Sequence, residues 1–432
     1  MRAHVPPSFA PSPLTLTSLG GVRAAGVAAG IKASGKPDVA LLVADAPMSV
    51  AGVFTKNLFA AAPVLLSRRH LAESGGRVRA IIVNSGNANA CTGETGERDA
   101  ESMAAHVAAK IGCPAREVLV ASTGVIGHKL PMDRVRAGID AAFAELSADV
   151  EAGRRFLAAI QTTDAFSKEA GEASTEEPAL RVAGIAKGAG MIEPNMATML
   201  AFVGTSASAT PEELARALPR IARASFNAVH VDTHTSTNDM FLLCSTGRIL
   251  DKGNGDSNGN RNGNGDGNGD RDGNGNGDGE SGARWEPIAS RVARQLAWLI
   301  ARDGEGATKV TTIEVKGALT DDAADQVARE IARSALVRTA LFGNDPNWGR
   351  FVSQVGNSAH VRDVTRLRCD LQGTTVFERG EPTNFDKSDL SRRMATDDVS
   401  LILDIGEGPG SASLMTSDLG YRYVEVNAEY TT

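Results

Sequence analysis

Apolar and polar positions along this chain follow two periods. Runs rich in Val, Ile, Leu and Ala at 39–43, 80–83, 118–121, 199–203, 240–244, 311–315 and 399–403, with an alternating run at 421–426, have the length and composition of β-strands. Three other stretches carry the helical period. Met132, Val135, Ile139, Phe143 and Leu146 form one stripe. Leu214, Leu218 and Ile221 form a second, entered through Thr210 as N-cap and Pro211 in the first turn. Ile288, Val292, Leu296 and Leu299 form a third, in a helix that begins near Pro287. All three read as core faces. No regular strand–helix–strand repeat is present, so the pattern predicts an α/β protein with mixed sheets, not an all-parallel wound fold.

One segment has neither period. Residues 252–282 consist almost wholly of Gly, Asn and Asp with scattered Arg. No apolar side chain is available there to offset the ordering entropy, which predicts a disordered surface insert. Repeated Asp and Asn among glycines also resembles calcium-binding tracts, but a calcium-binding β-roll needs a regularly placed apolar residue, and the tract has none.

Composition narrows the partners. At 432 residues with 42% hydrophobic side chains, the chain can bury a large core or two packed units. Its 45 basic and 52 acidic residues, net −7, include no basic block, so neither nucleic acid nor an anionic membrane surface is implied. Cys91, Cys113, Cys244 and Cys369 lack CxxC pairing and sit among small or apolar residues, which predicts buried reduced thiols instead of disulfides or a zinc site. His230 and His234 have the spacing of helical metal ligands, but the stretch alternates like a strand and lacks Cys or Glu partners; no metal is expected. Pro and Ser occupy the N-terminal positions where a signal peptide needs an apolar core, and no run reaches transmembrane length, so the expected location is cytoplasmic.

Candidate chemistry begins at 187–200, KGAGMIEPNMATML. Gly188 and Gly190 permit turns, and Pro194 pushes Glu193 toward an extended conformation, so a loop feeds a strand. Turn chemistry gives no reason for Thr198. A threonine hydroxyl is a poor nucleophile unless a base is adjacent, and a threonine freed at its N-terminus carries that base as its own α-amine. The small Ala197 leaves room for the hydroxyl to attack the Ala197–Thr198 bond. Taken alone, the same residues also read as a threonine that opens a strand. At 122–127, STGVIG follows a strand; backbone N–H groups at its Gly turn and the Thr123 hydroxyl are suitable oxyanion donors, and it also reads as a helix-entry turn. Thr162-Thr163-Asp164, Ser236-Thr237-Asn238-Asp239, 303–309 and 344–350 are further polar clusters at element ends, each readable as a turn or cap.

Together these stretches resemble the ornithine acetyltransferase family of arginine biosynthesis. The likeness is carried by GVAAGIK at 26–32, GVFT at 52–55, NSGNANACTG at 84–93, STGVIG at 122–127, KGAGMI at 187–192, MATML at 196–200, STNDM at 236–240, RDGEGATK at 302–309, GNDPNWGR at 343–350 and the last residues, 427–432. It spans nearly the whole chain apart from the first ~15–20 residues and the insert.

The resemblance implies a layered αββα-like sandwich of mixed sheets, of the self-cleaving N-terminal-nucleophile type. It implies cleavage between Ala197 and Thr198, giving an α chain of residues 1–197 and a β chain of 198–432 that stay associated as a heterotetramer of two α and two β chains. Thr198 would take the acetyl group from N2-acetyl-L-ornithine and pass it to L-glutamate, with no metal or organic cofactor. Some members also use acetyl-CoA. By motif match Thr123 and Gly124 form the oxyanion hole, and Thr162, Lys187, Thr198, Glu305, Asn427 and Thr432 bind substrate. Lys187 suits the α-carboxylate and Glu305 the δ-ammonium of ornithine. Ala165 stands where a threonine is usual, and Thr233-His234 where Gly-Asp is expected. Two other readings compete: a hydrolase of the same design using water as acceptor, against which the matches at Glu305 and 427–432 argue, and a calcium-dependent interaction protein built on the Gly/Asn/Asp tract.

Overall fold

The computed structural model describes residues 11–177, 179–193, 199–249 and 284–429. Ala197, Thr198, Thr432 and the 252–282 insert lie outside them.

Among the described residues the strands are β1 (Val22–Val27), β2 (Val39–Phe54), β3 (Arg77–Asn87), β4 (Val118–Val125), β5 (Lys168–Ala173), β6 (Arg181–Lys187), β7 (Leu200–Ala207), β8 (Val229–His230), β9 (Met240–Ile249), β10 (Val310–Ala318), β11 (Arg368–Leu371), β12 (Thr374–Glu378), β13 (Glu381–Pro382), β14 (Asp398–Asp404) and β15 (Gly410–Ser417). One sheet runs β4-β3-β2-β9-β7-β6-β5, with β1 added on β2; the other runs β13-β12-β11-β14-β10-β15-β8. Both are mixed: β3 pairs parallel with β4 and β7 with β9, while β2 is antiparallel to β3 and β9. The α/β class with mixed sheets is therefore as expected.

The helical stripes do what their spacing predicts. Helix Pro211–Ala224 begins with a reciprocal cap, Thr210 Oγ1 accepting from Glu213 N at 3.2 Å and Glu213 Oε2 from Thr210 N at 2.8 Å, and buries Leu214, Leu218 and Ile221. Helix Trp285–Arg302 buries Trp285, Ile288, Val292, Leu296 and Leu299 against strands of both sheets. Each such side chain contributes about 1.5–3 kcal/mol by leaving water, and Leu296→Ala would cost about 2–5 kcal/mol. Helix Met132–Ala144 buries Val135 and Ile139, and Leu146 packs beyond its end.

Two expectations need correction. Residues 421–426 are not a strand but part of helix Tyr421–Glu429. Alternation over six residues is too short to fix a period, and an Arg422–Glu425 pair at 2.9 Å supplies i,i+3 support that only a helix offers. The cysteines are free, but only Cys244 and Cys369 are buried; Cys113 is half-buried and Cys91 exposed. Cys91 lies in a bend at φ +57°, which turns its side chain outward although its neighbour Ala90 is buried against Ala61, Val64 and Ala88.

Candidate active site

The sheet order brings the predicted residues together. Lys187 ends β6 and pairs in register with Leu200 at the start of β7, two residues after Thr198; Leu200 in turn pairs with Met240 at the start of β9. Around these strand ends lies a cavity of about 180 Å³ lined by Thr123, Gly124, Thr162, Thr163, Lys187, Glu305 and Asn427, among others. That is below the roughly 300–1,000 Å³ of drug-sized sites, so an amino-acid-sized ligand suits it. A larger open groove of about 1190 Å³ between β2 and helices Ala62–Glu73 and Pro211–Ala224 is mainly apolar and is lined by none of the predicted site residues.

Thr123 and Gly124 occupy the end of β4, beside the end of β3. Gly124 has φ +131°, and a Cβ there would lie 2.4 Å from the Gly86 carbonyl carbon, so only glycine lets the two strand ends meet. Asn238 holds this wall: its Nδ2 donates to Ala88 O at 2.6 Å and to Ser122 O at 2.9 Å. Next to it, Asp239 Oδ1 accepts from Met199 N at 3.0 Å at the start of β7. Burial pushes the Asp239 carboxyl well above the usual carboxylate range, against the Met199 N–H and the Lys187 charge.

Lys187 is buried, and its ammonium donates to Thr123 Oγ1 at 3.0 Å. Burial lowers its pKa, Asp164, Asp239 and Glu305 act to raise it, and Lys168 lowers it further. Glu305 stands half-buried on the opposite loop, whose backbone N–H bonds Ala189 O at 2.9 Å. Burial raises its pKa, opposed by the Asn427 and Thr163 side chains that favour its charged form.

Beneath the cavity is a buried charge cluster that sequence reasoning missed. Lys168 Nζ donates to Asp164 Oδ1 at 2.6 Å and to Asp303, and all three side chains are buried. Asp164 also accepts from Thr162 N at 2.9 Å and Gly188 N at 2.8 Å, while Asp303 accepts from Ala165 N at 3.0 Å. One lysine thus ties the loops bearing Thr162, Lys187 and Glu305. Burial pushes Asp164 up, but Lys168 and Lys187 hold it below the ordinary range. Asp303 is pushed up to about 6 by burial, with Lys168 opposing and Asp164 assisting. The sequence signal was the placement of Asp164 and Asp303 in two polar clusters that also read as turns; their common partner could not be seen.

A model of the ArgJ family matches residues 23–432. The chain belongs to the ArgJ family. ArgJ of Rhodopirellula baltica is 44% identical over 417 residues, 95% of this chain and 96% of that one, and ArgJ of Thermus thermophilus is 42% identical over 412 residues, 95% and 98%. Both bear the name arginine biosynthesis bifunctional protein. A solved ornithine acetyltransferase from Mycobacterium tuberculosis, complexed with ornithine, is 44% identical, with a TM-score of 0.40 over 42% of this chain and 95% of that one.

Within this ArgJ chain, six expected residues line one cavity: Thr123, Gly124, Thr162, Lys187, Glu305 and Asn427. Thr163 lies close enough to Glu305 to favour its charged form, so both threonines of the pair face the site. The Ala165 departure leaves the Asp303 bond intact because the donor is the backbone N–H and the side chain is exposed. The other departure is visible in the backbone. Thr233 has φ +65°, a left-handed conformation that glycine takes freely and a β-branched residue does not. No helix among the described residues is long and apolar enough to cross a membrane.

Proposed function

We propose that this chain is an ornithine acetyltransferase of arginine biosynthesis that moves an acetyl group from N2-acetyl-L-ornithine to L-glutamate. The observation that carries the reading is the convergence of Thr123, Lys187, Glu305 and Asn427 on one amino-acid-sized cavity beside the strand that follows Thr198. Family membership supplies the reaction class.

In this reading the chain first cuts itself between Ala197 and Thr198. The sheet order supports continued association: β7 and β9, from the second piece, lie between β2 and β6, from the first, and are bonded to both. Two copies of each piece form the assembly, working in the cytoplasm on small molecules.

The freed Thr198 amine takes the hydroxyl proton as the oxygen bonds to the acetyl carbonyl carbon. The carbonyl electrons become an oxyanion, met by the Thr123 hydroxyl and the Gly124 N–H. Collapse breaks the C–N bond, the amine-held proton goes to the leaving nitrogen, and ornithine departs. Glutamate then attacks the acetyl-threonine by the reverse path. Glu305 faces the δ-ammonium, Thr162, Asn427 and Thr432 complete the binding set, and Lys187 stands beside the oxyanion donor Thr123. Such acyl transfer calls for no metal or organic cofactor.

The test is product analysis with N2-acetyl-L-ornithine. Transfer predicts ornithine and N-acetylglutamate in equal amounts when glutamate is present. Acetate released at the same rate without glutamate would support the hydrolase reading.

A further inference from the structure

The Lys187–Thr123 contact gives Lys187 a different task from pairing with a substrate carboxylate. An ammonium has only donors, so in the 3.0 Å contact Thr123 Oγ1 must be the acceptor. The hydroxyl keeps one proton, and among the described residues it donates to none; Thr123 lines the cavity. Lys187 is 4% exposed and Thr123 7%, so water competes little for either group. Asp164, Asp239 and Glu305 favour the charged ammonium, while burial and Lys168 oppose it.

We propose that Lys187 is a positioning residue of the oxyanion hole: by donating to Thr123 Oγ1 it turns the one Thr123 proton toward the oxyanion, and it places its charge one hydroxyl behind. This rests on the acetyl-transfer reading and specifies the role of one of its residues. In a water-poor site a donor fixed beforehand costs no reorganisation when charge develops, which is where catalytic stabilisation is largest. A charge behind the donor strengthens the O–H as a donor, so its effect falls on the tetrahedral intermediates of both half-reactions and not on substrate affinity. The groups that set the ammonium's charge are Asp164, Asp239 and Glu305, which favour it, and Lys168, which opposes it, with Lys32 also facing Lys187.

The experiment compares Lys187→Met with wild type on two acetyl donors, N2-acetyl-L-ornithine and N-acetylputrescine, its analogue without the α-carboxylate. Action through Thr123 predicts a kcat loss on the order of 10²-fold with both donors and little change in KM. Pairing with the carboxylate predicts a KM increase confined to acetylornithine, and that result would overturn the proposal. Thr123→Val supplies the second arm: once the hydroxyl is gone, Lys187→Met should cost nothing further, whereas independent roles would multiply. Lys187→Arg, which keeps a charged donor, should recover part of the loss. If Lys187→Met melts like wild type but is cut slowly at Ala197–Thr198, the result again favours the oxyanion role, because that junction offers no carboxylate to pair. Wild type inactive on acetylornithine would overturn the acetyl-transfer reading instead, and is distinguishable from any effect of the variants.

Discussion

Gly190 and Glu305 meet so closely that no side chain fits between them: a Cβ on Gly190 would lie 2.5 Å from Glu305 Oε2 and 2.6 Å from Oε1. The glycine is what lets the 187–192 loop pass under the carboxylate proposed to receive the ornithine ammonium. Gly190→Ala should push Glu305 out of place and lower kcat/KM for N2-acetyl-L-ornithine on the order of 10²-fold. Steady-state kinetics check it; an unchanged KM and kcat would remove Glu305 from the binding set. Glu305→Gln should raise KM for acetylornithine without displacing the loop.

Lys168 is the only charged group balancing Asp303 within hydrogen-bonding distance among the described residues, and it is fully buried with Asp164. Lys168→Met leaves two carboxylates in a dry interior, one accepting from Gly188 and the other from Ala165. Breaking one partner of such a pair costs about 3–5 kcal/mol, so a large fall in the urea midpoint is expected. A midpoint within error of wild type would mean that the cluster does not tie the loops together.

His230 is buried, with Nδ1 3.1 Å from Thr416 Oγ1 and no partner for Nε2 among the described residues. Burial first, then Arg338, Arg333 and Arg329, lowers its pKa to about 3. Between that value and an unfolded value near 6.5 only the unfolded chain binds the proton, so stability is full above pH ~6.5 and is lost as pH falls toward 3. The slope is about 1.4 kcal/mol per pH unit, giving roughly 2–3 kcal/mol between pH 7 and 4.5. Urea titrations at the two pH values should show this loss reduced by that amount in His230→Gln. Equal acid losses in both proteins would contradict it.

Thr233 holds φ +65° in the turn after β8. Thr233→Gly relieves a strain of about 1–2 kcal/mol, partly offset by the entropy glycine brings to the unfolded chain, so a net gain of up to about 1 kcal/mol is expected. A lower melting temperature for this variant would show that Thr233 earns its place through contacts instead.

How far these features were legible in the sequence follows from the range of the forces involved. The Thr210 cap and the Ile288–Leu299 stripe depend on neighbours three to four residues away, and both read correctly. Strands β1 (VRAAGV) and β15 (GSASLMTS) were missed because Ala, Gly and Ser give little apolar signal, and their burial comes from the sheet around them. The run at 421–426 misled for the opposite reason, since aromatic and β-branched residues alternated there without a sheet to join. At the site, Thr123, Lys187 and Glu305 were readable through motifs. The bond from Lys168 to Asp303, 135 residues apart, was not, because only the assembled sheet makes them neighbours.

Thr198 is the centre of the account, and intact mass of the protein after mixing with N2-acetyl-L-ornithine in the absence of glutamate tests it most directly. The account predicts two masses that sum to the precursor plus one water, cut between Ala197 and Thr198, with one acetyl group on the piece that begins at Thr198 and none once glutamate is added. A folded, uncut chain, or a cut chain that never carries the acetyl group, would contradict it.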